Sequence, residues 1–291
     1  MIKLDGQEIE ITRFSDGTSK ILCIPEKEIR ASHTITWLYD GDEELFTLVC
    51  VVGYLRKNGV SKIYLQLPYV PNARMDRTER DGEVHTLKSF GDFITSLNFS
   101  MVEVFDPHSS ATDMVISPIR VIKPTKYIQR VIDQLNAHTN RNLILYYPDK
   151  GACYRYNGYF PGIGMHFVYG EKERNWDTTK IEKLKIQGGK DIINGRNILM
   201  IDDICASGGT LMQSARELKK NGAKDIFVYA SHTEKRLPET ELAKSGLIKG
   251  FYTTNSLLRT DNFPKEEILS EGEFNTVIQL ENMWLYVLKV F

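Results

Sequence analysis

The stretch from Asn197 to Lys220, NILMIDDICASGGTLMQSARELKK, constrains the fold more than any other part of the chain. Its residues 198–201 form a short aliphatic run, which is typical of a strand buried on both faces of a parallel sheet. Two carboxylates, Asp202 and Asp203, follow at the carboxyl end of this strand. Apolar residues then recur at helical spacing after residue 210. The stretch therefore predicts a strand, a tight loop and a helix, as in an α/β sheet.

The loop between this strand and helix consists of Ala206, Ser207, Gly208, Gly209 and Thr210. The glycines can adopt positive φ and let the backbone approach a ligand, and the hydroxyls can donate to phosphate oxygens. Backbone N–H groups at the helix start favour an anion, whereas the preceding carboxylates suit ribose hydroxyls or a hydrated divalent metal. An ordinary turn would need the glycines, but not the carboxylate pair and the hydroxyl together. We expect a sugar phosphate as the ligand.

The composition restricts the class of protein. The chain has 291 residues, enough for one large or two medium domains, and 42% of them are hydrophobic. Its 37 basic and 38 acidic residues give a net charge of −1, which argues against a general nucleic-acid or membrane surface. The four cysteines lack the spacing of a metal site or a disulfide framework, and no apolar run is long enough to span a bilayer. We expect a reduced, cytoplasmic protein.

Polar segments follow three other predicted strands. The strands cover residues 62–67, 101–105 and 142–147, and the polar segments after them cover 68–80, 106–110 and 148–152. Loops at the carboxyl ends of strands are where α/β sheets place their active sites. A single histidine such as His108 is usually an ordinary loop residue, but its place beside an Arg-rich loop favours contact with phosphate or metal. These segments are therefore candidates for the functional site.

The remaining pattern predicts the domain organisation. Strands alternate with helices, including helices near 42–58, 87–97 and 125–138, which implies parallel sheets with helices on both faces. Residues 158–195 are hydrophilic, and we expect an irregular segment there, either a solvated charge run or a lid. The domain boundary is expected near residue 124.

The motif 202–210 resembles the loop that binds phosphoribosyl pyrophosphate (PRPP) in phosphoribosyltransferases and PRPP synthetases. Over nearly the whole chain, the polar segments resemble one family in order and spacing, the ribose-phosphate pyrophosphokinases or PRPP synthetases. The matching segments are 14–17, similar to a loop that enters a neighbouring subunit's ATP site; 68–77, similar to PYxxARQDR; 106–109; 148–151; 172–174, similar to the catalytic flexible loop; and 202–210.

The resemblance implies an α/β fold of two phosphoribosyltransferase-type (type I) domains, each a mostly parallel sheet flanked by helices. It implies an ATP-binding domain at residues 1–124 and a second domain, with the ribose 5-phosphate loop, at 125–265. Residues 266–291 are expected to form a strand and a helix that dock back on the N-terminal domain.

The resemblance also implies the reaction of a ribose-phosphate diphosphokinase. The β,γ-diphosphoryl group of ATP passes to the 1-hydroxyl of ribose 5-phosphate, giving PRPP and AMP, with Mg²⁺ as the cofactor. Such a transfer needs in-line positioning and neutralisation of charge by metal and cationic side chains. The expected partners are ATP and ribose 5-phosphate, without nucleic acid or membrane, in a homo-oligomer that is a dimer or a hexamer.

The resemblance assigns a role to each matching residue. Catalysis is assigned to Lys172 and Arg174; ATP binding to Phe14, Asp16, Arg74, Asp76, Arg77 and His108; ribose 5-phosphate binding to Asp202, Asp203, Ala206, Ser207, Gly208, Gly209 and Thr210; and metal binding to His108 and Asp149. The Arg74 guanidinium would stack on adenine, and Phe14 of another subunit would cover the other face of the base. Lys150 and Arg155 are the reserve candidates for the catalytic cation.

The chain departs from the family pattern at both ends. Its first motif begins at Phe14, so we expect the family's first strand and helix to be missing, and Thr18 stands where the family has Glu. With the short carboxyl end, this predicts weak or absent regulation by ADP and phosphate. Two alternatives stay open. A phosphoribosyltransferase that consumes PRPP would not need Arg74, Arg77 and His108, and a non-catalytic regulatory homologue is expected to lack the lid cations or the metal carboxylates.

Overall fold

Two units divide the chain, Met1–Lys123 and Pro124–Phe291. The computed structural model describes residues 1–159, 166–174, 181–234, 237–258 and 285–288. Within these residues no helix is both long enough and apolar enough to cross a membrane.

The first unit contains β1 (Ile2–Leu4), β2 (Gln7–Glu8), β3 (Glu10–Arg13), β4 (Ser19–Leu22), β5 (Ser32–Trp37), α1 (Glu44–Lys57), β6 (Lys62–Leu67), α2 (Thr86–Ser96), β7 (Met101–Phe105), α3 (Ala111–Val115) and β8 (Ile119–Ile122). Its sheet has the order β2-β1-β5-β6-β7-β8. Strands β5 to β8 are parallel to one another, and β1 pairs antiparallel with both β5 and β2. β3 and β4 form a separate hairpin. The helices predicted near 42–58 and 87–97 are confirmed as α1 and α2.

The core of the first unit lies on one face of its sheet. Ile35, Leu65 and Val104, from three neighbouring strands, share one buried cluster with Leu48 of α1 and Phe90 of α2. Right-handed crossovers that all proceed in one direction across a sheet place their helices on the same face. The prediction of helices on both faces is therefore wrong for α1 and α2, because the strand order β5-β6-β7-β8 never reverses.

The second unit contains α4 (Thr125–His138), β9 (Leu143–Tyr147), α5 (Lys150–Asn157), β10 (Phe167–Arg174), β11 (Ile181–Gln187), β12 (Asn197–Cys205), α6 (Gly209–Lys220), β13 (Ile226–Thr233), α7 (Glu241–Lys244), β14 (Gly250–Thr254) and β15 (Leu285–Leu288). Its sheet has the order β11-β10-β9-β12-β13-β14-β15, with β11 and β15 as antiparallel edges. Both sheets are thus mostly parallel, as the sequence predicted.

The strand order of the second sheet reverses between β9 and β12. The chain leaves β9 through α5 toward β10 on one side, and it leaves β12 through α6 toward β13 on the other. Right-handed crossovers in opposite directions place α5 and α6 on opposite faces of the sheet. A crevice at the carboxyl ends of the strands accompanies such a reversal, and ligands bind there in open α/β sheets.

The structure corrects in part the prediction of an irregular segment between residues 158 and 195. Residues 167–174 and 181–187 form the antiparallel hairpin of β10 and β11. Val168 and Ile186 are buried, but four consecutive charged residues, 171–174, stand in β10 and three more charged residues stand in β11. Such runs of charge interrupt the apolar alternation by which a strand is predicted, and they favour the prediction of a loop.

The predicted docking of residues 266–291 falls mostly outside the described residues. Of this segment the structure describes β15, which pairs with β14 inside the second unit. The docking itself stays a prediction.

Candidate active site

The loop between β12 and α6 has the backbone shape of an anion site. Gly208, the N-cap residue of α6, lies in the left-handed region with φ 73° and ψ 8°. A Cβ there would lie 2.8 Å from Leu242 Cδ2, so a larger residue would displace that side chain. Gly208 has no side chain that could cap the helix. The first N–H groups of α6, from Gly209 and Thr210 onward, therefore present the partial positive charge that binds phosphate.

Asp202 and Asp203 lie inside β12, which continues to Cys205 by pairing with β13. Successive side chains of a strand point to opposite faces of the sheet, so the two carboxylates do not lie side by side. Asp203 is 5% exposed and Asp202 is half-buried. Asp202 Oδ1 accepts the backbone N–H of Asp203 at 3.0 Å. The expected adjacent carboxylate pair is thus split between two faces, because the strand extends past both residues.

Arg155 of α5 forms an ion pair with Asp203. Its Nη1 atom lies 3.1 Å from Asp203 Oδ2, and the two side chains are 20% and 7% exposed. The guanidinium also lies over the ring of Tyr156, 5.6 Å from its centroid. The sequence named Arg155 only as a reserve cation, because a contact between residues so distant in the chain has no local signal.

Asp149 stands at the carboxyl end of β9 and begins α5. Its Oδ1 accepts the backbone N–H of Ala152 at 2.9 Å, which caps the helix. β9 and β12 are neighbouring parallel strands, so Asp149 and Asp203 lie on the two sides of the strand reversal. These two carboxylates, predicted from separate motifs, belong to one edge of one sheet.

The donor set of this edge fits Mg²⁺ only if a substrate shares the ion. Mg²⁺ is usually held by one or two carboxylates together with substrate phosphates. Among the side chains that the structure describes, no group of three or more His, Cys, Asp or Glu could hold a metal. Asp149 therefore fits a partial ligand set for Mg²⁺, and the imidazole of His108 suits this metal less well.

Lys172 and Arg174 lie on β10, and the structure describes their backbone. Lys172 pairs with Leu184 and Arg174 with Ile181, and the register shifts between Glu173 and Arg174. β10 runs parallel to β9 and pairs with it only as far as Tyr169. The hairpin therefore extends beyond the sheet edge where the polar strand ends lie.

Glu171 ties the base of this hairpin to α5. Lys150 Nζ lies 2.6 Å from Glu171 Oε1, and Gln187 Nε2 donates to Glu171 Oε2 at 2.9 Å. The hydrogen bond with Lys150 lowers the pKa of Glu171, and the same bond raises the pKa of Lys150. The reserve cation Lys150 is thus engaged beside Lys172, a contact that the sequence did not reveal.

In the first unit, apolar residues anchor the polar segment that follows β6. Val70 and Ala73 are 1% and 2% exposed and belong to the core, although they lie in a segment that the sequence predicted to be polar. Arg74 and Arg77 are exposed, and Asp76 is half-buried. The buried anchors hold the loop, and its charged side chains face outward.

His108 follows β7 on the neighbouring loop. Asp106, which precedes it, is 2% exposed, has φ 39° and donates its backbone N–H to Ile122 O at 3.0 Å. The chain turns there, and His108 is half-buried. β6 and β7 are adjacent parallel strands, so the loops with Arg74 and His108 leave the same edge of the first sheet.

The hairpin of β3 and β4 confirms the predicted turn at Phe14–Gly17. Phe14 is 58% exposed. Asp16 Oδ1 accepts the backbone N–H of Thr18 at 2.9 Å and its hydroxyl at 2.7 Å, and these bonds lower the pKa of Asp16. Thr18, which departs from the family pattern, thus fixes the turn that presents Phe14.

Known proteins resemble this chain in sequence and in fold. The phosphoribosyl transferase domain family matches residues 125–255. Ribose-phosphate pyrophosphokinase of Pyrococcus abyssi is 30% identical over 226 residues, covering 77% of this chain and 75% of that protein. The enzyme of the same name from Thermococcus kodakarensis is 29% identical over 232 residues, covering 77% of each.

A solved structure shows the same fold. Phosphoribosylpyrophosphate synthetase from Mycobacterium smegmatis matches with a TM-score of 0.70 at 20% identity, covering 89% of this chain and 84% of that one. The enzyme class expected from the sequence, a diphosphotransferase that makes PRPP, is the class that the names of these relatives state. With this identity over three quarters of both proteins, the chain belongs to the ribose-phosphate pyrophosphokinase family.

Proposed function

We propose that ribose 5-phosphate binds at the strand reversal of the second unit and receives there the β,γ-diphosphoryl group of ATP. The observation that carries this assignment is the start of α6, where the left-handed Gly208 exposes backbone N–H groups to a phosphate. Ser207 and Thr210 add hydroxyls, and Ala206 and Gly209 let the loop close around the 5-phosphate. Asp203, and Asp202 from the other face of the strand, serve the ribose hydroxyls.

ATP is assigned to the first unit. Arg74 and Arg77 are exposed cations at the carboxyl edge of its sheet, where His108 also lies. Arg74 stacks on adenine, Arg77 and His108 serve the phosphates, and Asp76 orients the loop. Phe14 and Asp16 are exposed residues of the hairpin of β3 and β4, and they act on the ATP of a neighbouring subunit.

Lys172 and Arg174 are assigned to the transferring group. The 1-hydroxyl of ribose 5-phosphate attacks the β-phosphorus of ATP in line with the departing AMP, and negative charge spreads over the transferring oxygens. Cations that reach this charge only when the hairpin closes stabilise the transition state more than the bound substrates. Lys150 and Glu171 hold the hairpin base in place for this motion.

Mg²⁺ is the proposed cofactor: His108 would serve the Mg²⁺ that accompanies ATP, and Asp149 is the candidate carboxylate ligand of a second Mg²⁺ site. When bound, it neutralises phosphate charge and orients the β- and γ-phosphates.

We assign residues 1–124 to an ATP-binding domain, 125–265 to a ribose 5-phosphate domain and 266–291 to a segment that docks on the first. The partners are ATP and ribose 5-phosphate in a homo-oligomer, without nucleic acid or membrane. A cytoplasmic location is supported by the four free cysteines.

Formation of AMP from ATP tests this function. We expect AMP only when ribose 5-phosphate and Mg²⁺ are both present. Ribose without its phosphate should not replace ribose 5-phosphate, because it lacks the group that α6 binds. Consumption of PRPP with a base, without AMP formation from ATP, would instead identify a phosphoribosyltransferase, and no turnover of either kind would identify a regulatory homologue.

A further inference from the structure

We propose that Arg155 is a positioning residue for ribose 5-phosphate, which holds the buried carboxylate of Asp203 ionised and oriented toward the ribose hydroxyls. The geometry that suggests this role is the ion pair between Arg155 Nη1 and Asp203 Oδ2 at 3.1 Å. The inference rests on the proposed function, since it takes Asp203 as a ribose ligand.

Burial makes the charge of Asp203 depend on its surroundings. Its side chain is 7% exposed, and a carboxylate removed from water becomes protonated unless a positive charge or several donors compensate. A protonated carboxyl would lose acceptor capacity toward two ribose hydroxyls. The guanidinium of Arg155 is positively charged at every pH at which a protein folds, so it supplies permanent compensation.

Arg155 is itself held in place by its helix. Tyr156, the next residue, is fully buried, and its ring supports the guanidinium at 5.6 Å. The same helix is capped by Asp149, whose Oδ1 binds the N–H of Ala152. Asp203 is therefore oriented before the sugar arrives, and less ordering is needed on binding.

The ion pair also matters for the phosphate of the ligand. Asp202 and Asp203 bring two negative charges to the strand that leads into the anion site of α6. Unopposed, these charges would repel a phosphorylated sugar. The positive charge of Arg155 offsets one of these negative charges, so that the carboxylates of β12 and the phosphate site of α6 can lie close together in the chain.

Titration of ribose 5-phosphate in the absence of nucleotide, with a double-mutant cycle, tests the proposal. Arg155→Gln should weaken ribose 5-phosphate binding by about tenfold or more, as expected for a charged interaction, and should leave the KM for ATP unchanged. Arg155→Lys, which keeps the charge but not the planar geometry, should lose less. The control is Arg216→Gln, which breaks an exposed ion pair of α6 with Glu241 and should bind like wild type.

The cycle separates action through Asp203 from direct contact with the ligand. In an Asp203→Asn background, Arg155→Gln should change ribose 5-phosphate affinity by less than about twofold, because the carboxylate through which Arg155 is proposed to act is gone. A full loss in that background would overturn the proposal, and so would unchanged affinity in Arg155→Gln alone. If Arg155→Gln does not fold, Arg155→Lys takes its place in the cycle, and a loss of ribose 5-phosphate affinity that is equal in both backgrounds, or absent from both, would overturn the orientation of Asp203 by Arg155.

Failure of the proposed function gives a different result. Wild-type protein that neither binds ribose 5-phosphate nor forms AMP would overturn both the function and this role. Wild-type protein that does both, beside an Arg155→Gln variant with unchanged affinity, would overturn this role alone.

Discussion

The two units place polar side chains at the carboxyl ends of parallel strands, but only the second reverses its strand order there. The first sheet runs β5-β6-β7-β8 in sequence, whereas the second changes direction between β9 and β12. Open α/β sheets bind their ligands at such a reversal, in the crevice at the carboxyl ends of the strands. We infer that the ribose 5-phosphate site is built by the fold of the second unit, while the ATP residues of the first lie on loops at the carboxyl edge of a sheet without such a reversal.

The ion pairs of the two units show the same contrast. In the second unit, Arg155 and Asp203 pair at the carboxyl end of the sheet, beside the proposed ligand. In the first, Asp5 pairs with His33 and Arg30 at the amino end of β5, the opposite edge from Arg74 and His108. We infer that the pair of Arg155 and Asp203 serves the proposed site, and that the Asp5 cluster serves the stability of the first unit.

The largest effect is expected at Lys172, and it would show that the second unit supplies the catalytic cation. Lys172→Ala should lower kcat by roughly 10³ or more, as for comparable charge-stabilising groups in phosphoryl transfer, with little change in ribose 5-phosphate affinity or thermal stability. Steady-state kinetics and thermal unfolding measure both. Lys185→Ala, at an exposed residue on the partner strand of the same hairpin, is the matched control.

A variant at Lys172 that keeps more than about a tenth of the wild-type kcat, an effect below about 1.4 kcal/mol, would end this assignment. Equal losses in Lys172→Ala and Lys185→Ala would also contradict it, because they would reflect the charge of the hairpin as a whole.

Gly208 tests whether the anion site of the second unit is built by its backbone. Gly208→Ala should raise the KM for ribose 5-phosphate by about tenfold, because a Cβ in the left-handed region costs about 1–2 kcal/mol and this one also meets Leu242. Gly246→Ala is the control, since Gly246 has φ 65° and nothing within 4 Å of its Cβ position. Its KM should not change, and equal effects in both variants would show that backbone strain anywhere in the unit suffices.

The sequence predicted many of the helices and strands of both units, but it did not predict the contacts that build the proposed site. Helical and strand periodicity placed α1, β6 and α6 correctly and β12 as far as Ile201, although β12 continues to Cys205. The hairpin of β10 and β11 was missed because its charged residues, including the run 171–174, interrupt the apolar alternation that indicates a strand. The contact of Arg155 with Asp203 was missed because it depends on the neighbouring positions of β9 and β12, which no local pattern encodes.

Phe14 tests whether the first unit needs a neighbour to complete its ATP site. Phe14→Ala should raise the KM for ATP by about tenfold, the loss expected when a base loses an aromatic partner, and should leave thermal stability unchanged. The control is Leu22→Ala on the same hairpin, since the two side chains are 58% and 59% exposed.

Mixed oligomers sharpen this test. Co-expressed Phe14→Ala and Lys172→Ala subunits should regain activity, because a site formed by two subunits can draw an intact residue from each. Mixed oligomers without regained activity, or a fully active monomer by light scattering, would place Phe14 in its own subunit's site.

The smallest effect concerns Asp5, whose cluster lies away from the proposed ligands. Burial acts to raise the pKa of Asp5, but the backbone N–H of Thr34 and the contacts with His33 and Arg30 outweigh it, so the pKa is lowered. Asp5 Oδ2 lies 2.6 Å from His33 Nδ1, and His33 Nε2 accepts the backbone N–H of Arg30 at 2.9 Å. A backbone N–H can only donate, so the ring proton is on Nδ1 and points to Asp5.

A carboxyl group with a lowered folded-state pKa stabilises the fold above its unfolded pKa, about 3.9 for Asp, and this stabilisation is lost as the pH falls through the folded value. Asp5→Asn should therefore lower the Tm by a few degrees at pH 7, and the difference from wild type should shrink toward pH 3. Asp92→Asn, which breaks an exposed pair with Lys88, should change the Tm little at either pH. KM values at neutral pH should stay at the wild-type level in Asp5→Asn. A Tm difference that is equal at both pH values would mean that the geometry of the cluster matters and its charge does not, and a raised KM would bring this cluster into the site after all.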